Sequence, residues 1–161
     1  MVSVKRLLGK VVSNPAGQPV GTVSGLLVDP GPMRLVGLLV TRMGLFRSPQ
    51  MLYWQDALLG EGRLTVESVN VLRPLSEIAP SWWSTHREPG VWGRPLYDNA
   101  GGFLGLLSDL MIDRRGRVVG CRVSNGVLKD LITGQPELVG TMEMKVDGEG
   151  LELVGGDRHQ A

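Results

Sequence analysis

The chain has 161 residues, 42% from the apolar set and 20% charged, a globular balance that excludes intrinsic disorder. Seventeen basic and sixteen acidic side chains leave a net charge near +1 with no long run of either sign, so the sequence shows no basic stripe of the kind that holds a nucleic-acid duplex. One cysteine, Cys121, excludes an internal disulfide, and no apolar stretch approaches the roughly 18 residues of a membrane span.

Short runs of Val, Leu and Ile are broken every few residues by Gly, Pro, Asn or Asp, which predicts an all-β chain with tight connections. In chain order, strands are expected near 8–13, 20–29, 34–41, 51–58 and 64–72. Asn14-Pro-Ala-Gly17 reads as a four-residue turn, with Pro15 presetting φ and Gly17 free to take a positive φ. Asp29-Pro-Gly-Pro32 is the next turn, and Gly60-Glu-Gly-Arg63 closes a hairpin. A linker follows over 75–88, in which Ser76 is expected to cap a short helical turn ended by Pro80. Its adjacent Trp82 and Trp83 point to opposite sides of an extended chain.

Beyond the linker the pattern starts again. At an offset of 84, Gly9, Ala16, Gly17, Gly21, Ser24, Leu26 and Asp29 fall on Gly93, Ala100, Gly101, Gly105, Ser108, Leu110 and Asp113. The next loop is one residue shorter, and at an offset of 83 Arg34, Val36, Gly37 and Val40 meet Arg117, Val119, Gly120 and Val123. Such self-similarity is an internal repeat. It divides the chain into units at 1–74 and 89–156 with a tail at 157–161. Each unit is close to the size at which a domain ceases to fold alone, so the two are expected to pack on each other. Asp98-Asn-Ala-Gly101 and Asp113-Arg-Arg-Gly116 repeat the first two turns, and Asp147-Gly-Glu-Gly150 repeats the hairpin.

The order of glycines, the turn acid and the following Val-Gly, present in both units, resembles the PRC-barrel domain. That module occurs in the cytoplasmic part of the photosynthetic reaction-centre H subunit and the C-terminal half of a ribosome maturation factor. Tyr53-Trp-Gln-Asp56 is similar to the aromatic-plus-acid segment that follows the third strand in that family. The second unit departs there, with Gly126 to Gly134 and then Glu137-Leu-Val-Gly140. The resemblance implies two small antiparallel PRC-type β-barrels in tandem, joined by a partly helical linker. It also implies a docking module in larger assemblies rather than an enzyme.

The residues themselves offer no catalytic constellation. His86 and His159 lack acid or thiol neighbours at metal-ligand spacing, Cys121 reads as a buried inert thiol, and Ser24 and Ser108 sit in strands without a histidine. Asp29 and Asp113 read as turn acids, since equivalent turns of separate barrels give no reason for two carboxylates to converge. Arg114-Arg115-Gly-Arg117 reads as a solvated hairpin tip. No cofactor is expected. Phe46, in an apolar loop tip, and Trp82 and Trp83 form the candidate interaction surface. With no signal peptide in the sequence, the expected role is a cytoplasmic, non-enzymatic adaptor that binds a protein partner or itself. The alternatives are a ribosome- or RNA-associated maturation factor, and a small-ligand sensor with a cleft between the barrels.

Overall fold

The computed structural model describes residues 1–44, 48–85, 90–124, 137–144 and 150–159, and within these the regular structure is strand and short 3-10 turns. The strands are β1 (Val2–Ser3), β2 (Val11–Ser13), β3 (Pro19–Asp29), β4 (Arg34–Arg42), β5 (Pro49–Tyr53), β6 (Ala57–Gly60), β7 (Arg63–Val66), β8 (Trp83–Ser84), β9 (Pro95–Tyr97), β10 (Phe103–Ile112), β11 (Val118–Ser124), β12 (Glu137–Met144) and β13 (Leu151–His159). They form two sheets. The first runs β5-β4-β3-β2-β7-β6, with β8 added to β3. The second runs β1-β10-β11-β12-β13-β9, and β9 also pairs with β10, so the pairings from β10 to β9 return to β10, with β1 added outside that circuit.

The expected strand over 51–58 is split. Residues Trp54–Asp56 form a 3-10 turn between β5 and β6, and Trp54 turns into the core. The strand expected over 64–72 stops at Val66, beyond which Ser68 Oγ caps the turn Val69–Val71 by accepting from Asn70 N at 3.1 Å. Ser76 lies inside the turn Leu75–Glu77 rather than capping it; the cap position is Pro74. The hairpin over 147–150 lies outside the described residues except for Gly150.

The duplication extends to individual hydrogen bonds. Gly9 N donates to Val23 O at 2.9 Å and Val23 N to Lys10 O at 2.9 Å; Gly93 N donates to Leu107 O at 2.8 Å and Leu107 N to Arg94 O at 2.7 Å. Asn14 Oδ1 accepts from Ala16 N and Gln18 N, as Asp98 Oδ1 accepts from Ala100 N and Gly102 N. Both long hairpins bulge at the same place, at Ser24 and Ser108. A Cβ on Gly37 would come within 2.5 Å of Leu52 O, and one on its counterpart Gly120 within 2.7 Å of Leu138 O, so glycine there lets neighbouring strands approach.

Each bulge exposes an N–H that a side chain satisfies differently. Leu26 N donates to Thr85 Oγ1 at 3.1 Å, whereas Leu110 N donates to the carboxylate of Asp109 at 2.8 Å. Asp109, only 6% exposed, also accepts from Ser3 Oγ and from Lys5 N. Such buried acceptors are costly unless fully hydrogen-bonded.

The short flanking strands are exchanged. Val2–Ser3, at the start of the first unit, pairs with β10 of the second, and Trp83–Ser84, in the linker before the second, pairs with β3 of the first. Val4 N reaches Leu110 O at 2.9 Å and Thr85 N reaches the equivalent Leu26 O at 3.3 Å. One core runs through both units, from Leu26, Leu38 and Leu64 to Leu107, Leu110 and Leu151. A smaller cluster of Leu27, Leu39 and Met51 is covered by Tyr53, Ile78 and Trp82.

Candidate functional site

The two long hairpins meet tip to tip. Leu35 N donates to Gly116 O at 2.7 Å and Val118 N to Met33 O at 3.1 Å, bonds interchanged by swapping the two copies, with Arg34 opposite Arg117 between them. The equivalent turns therefore do come together, contrary to what separate barrels would give. Their aspartates nevertheless serve their own turns. Asp29 Oδ1 accepts from Gly31 N at 3.0 Å, and Asp113 Oδ1 accepts from Arg115 N and Arg117 N.

The single-residue length difference alters the chemistry here. In the shorter turn Arg117 stands four residues after Asp113 and pairs with it at 2.9 Å. Partial burial pushes the Asp113 carboxyl up, but bonds from the Arg117 side chain and from the backbone N–H groups of Arg117 and Arg115 outweigh it and hold it below the usual range. In the longer turn the corresponding Asp29 and Arg34 are five residues apart. Arg34 is exposed, and among the described residues it has no ion-pair partner.

Trp54 holds the junction from the side. Its Nε1 donates to Arg114 O at 3.1 Å, sixty residues away, and its ring lies where a side chain on Gly116 would have to go. Gly116 has φ +84, while its counterpart Met33, with φ 52, is buried in the core.

Next to Arg34 lies a cleft of about 260 Å³, lined by Asp29, Pro32, Arg34, Val36, Tyr53, Gln55 and Trp82. Tyr53 Oη donates to Glu77 Oε2 at 3.3 Å, and Glu77 pairs with Arg73 at 2.7 Å. Burial and then the Glu77 charge raise the Tyr53 phenol, while the hydrogen bond from Arg73 holds the Glu77 carboxyl low. A broader cleft of about 420 Å³ along β6 and β7 is lined by Pro15, Gln55, Asp56, Ala57, Leu58, Thr65, Val66 and Glu67, without a nucleophile–base pair.

The candidate residues are placed as follows. Trp83 is 8% exposed within the main core, with the Arg94 guanidinium 3.7 Å from its ring centre. Trp82 is half-buried on the opposite side and lines the smaller cleft, so adjacency in extended chain does separate the two rings. Phe46 lies outside the described residues, as does His86. Cys121 is fully buried; burial, then the Asp109 charge, pushes its thiol up to about 12. Ser24 Oγ accepts from Thr41 Oγ1 at 2.9 Å and donates to Leu39 O at 3.4 Å, a structural role at the bulge. Among the described residues no three His, Cys, Asp or Glu are grouped to hold a metal, and no helix is long and apolar enough to cross a membrane.

Sequence reasoning passed over Arg34, Gln55 and the Arg73–Glu77 pair. It also passed over an exposed patch on β10, where Phe103 and Leu106 are 60% and 44% exposed and Phe103 meets Tyr97 edge-to-face at 5.8 Å. The signal for that patch was present: the first unit carries Pro19, Thr22 and Ser13 at the corresponding positions. No family model matches the chain, and no curated protein matches it in sequence.

Proposed function

We propose that the chain is a tandem PRC-type barrel protein of the cytoplasm that acts as a non-enzymatic docking adaptor, engaging a protein partner through the cleft between Tyr53 and Trp82. The observation that carries the reading is the half-buried Trp82 beside Tyr53, in a cleft where the two copies differ. Tryptophan and tyrosine, each with an apolar body and a polar tip, dominate protein docking sites. Affinity capture from native lysate with the wild-type chain and with Trp82→Ala tests it. A partner retained by the first and lost with the second is expected, and a partner set unaffected by the substitution sinks the assignment to this cleft.

A second reading, an RNA-associated factor, draws on the meeting of Arg34 and Arg117 beside Arg114 and Arg115. It requires affinity for single-stranded RNA that falls steeply with salt. Binding that ignores salt would eliminate it.

A further inference from the structure

Resting on that docking role, we propose that the cleft takes an acidic, apolar-anchored segment of a partner protein, its carboxylate on Arg34 and its apolar side chain between Tyr53 and Trp82. Two independent observations lead there. First, in the longer β3–β4 turn Asp29 stands across the hairpin from Arg34 but forms no ion pair with it, unlike Asp113 with the counterpart Arg117, and Arg34 lines the cleft. Second, the charges around it are unbalanced: Arg34, Arg114, Arg115 and Arg117 stand against Asp29, Asp113 and Asp56, whose charge reaches Tyr53, a surplus of one positive charge at this end of the molecule. Arg73 and Glu77 neutralise each other and leave that surplus unchanged.

The dimensions and the remaining charges favour a peptide over RNA. At about 260 Å³ the cleft holds one or two side chains. Asp29 lines it too and would repel a phosphate run, whereas a single carboxylate on Arg34 can be accommodated with Asp29 engaged by Gly31 N. Guanidinium groups recognise carboxylates through paired hydrogen bonds, which supplies the specificity that the apolar walls lack.

The test uses the full chain and three fluorescent probes: Gly-Glu-Leu-Phe-Gly-Gly, Gly-Lys-Leu-Phe-Gly-Gly and a uridine hexanucleotide, read by anisotropy with the melting temperature of each variant as control. The glutamate peptide is expected to bind best. Arg34→Gln should weaken it about threefold, as for an exposed ion pair. Asp29→Asn, whose amide oxygen can still accept from Gly31, should tighten it by a similar factor. Trp82→Ala should remove most binding, with Trp82→Phe restoring part. Equal or better binding of the lysine peptide, weakening by Asp29→Asn, or Arg34-dependent binding of the hexanucleotide alone would overturn the inference. Glutamate-peptide binding that depends on Trp82 but ignores Arg34 and Asp29 defeats this inference and leaves the docking role intact. If the peptide shows no Trp82 dependence and Trp82→Ala also leaves the captured partners unchanged, both fall.

Discussion

Replacing Gly116 by alanine tests whether the hairpin junction is a packed contact. The backbone there has φ +84, a left-handed conformation that costs a residue with a side chain about 1–2 kcal/mol. The added Cβ would also sit 2.8 Å from Leu35 O and 2.9 Å from Trp54 Cδ1, closer than carbon tolerates. Relief requires the Leu35 carbonyl or the indole to move, straining the Leu35 N to Gly116 O and Trp54 Nε1 to Arg114 O bonds, each contributing about 1 kcal/mol. The expected loss is about 2–4 kcal/mol, or about 5–15 °C in melting temperature for a chain of this size. Gly101→Ala supplies the control, because its φ is +85 but its Cβ would meet nothing within 4 Å, leaving only the backbone cost. Urea unfolding of both variants, followed by tryptophan fluorescence, isolates the steric part. A Gly116→Ala chain no less stable than Gly101→Ala would show that the junction yields freely and refute the reasoning.

Three further outcomes are expected. Cys121 stays a neutral thiol when folded, with its pKa pushed from 9.0 to about 12, so unfolding above pH 9 releases a proton that the native state keeps. Stability is therefore unaffected by this group below pH 9 and falls between pH 9 and 12 by up to about 1.4 kcal/mol per pH unit. The stability difference between wild type and Cys121→Ala, measured from pH 8 to 10.5, should carry that slope; a flat difference rejects it. Asp98→Ala should cost about 1 kcal/mol by removing an acceptor from Ala100 N and Gly102 N, while Asp98→Asn should be nearly neutral, since Asn14 does the same job in the first copy. Chemical denaturation separates these, and equal effects would contradict the turn argument. Ser3→Ala should cost about 1–3 kcal/mol by depriving the buried Asp109 of a donor; a change under about 0.5 kcal/mol would mean that the Ser3 bond contributes nothing.

What was legible in the sequence is what depends on near neighbours. Asn14 and Asp98 bond to backbone two and four residues on, so their turns could be placed from composition alone. Opposed faces for Trp82 and Trp83 followed from strand geometry. Features set by distant partners were invisible. Trp54 breaks the strand after Tyr53 because its indole is hydrogen-bonded to Arg114 O, and two-residue strands such as Val2–Ser3 carry no periodic pattern until β10 lies beside them. Arg34 aligns with Arg117 in the two copies, and although the one-residue difference in turn length is visible in the sequence, its consequence for pairing with the turn acid is not.

The exchange of flanking strands explains why the copies are free to diverge at the junction. Because Val2–Ser3 adds to β10 and Trp83–Ser84 adds to β3, each long hairpin takes a short strand from outside its own unit, and the pair shares one core. Stability is thereby secured by symmetric contacts: the matched bulges, the shared turns and the reciprocal bonds of Leu35 and Val118. The units differ off that symmetric frame: Trp54 beside Gly116, Arg34 with no ion-pair partner among the described residues, and Trp82 over the smaller cluster. The cleft beside Arg34 lies among these positions at which the two copies differ.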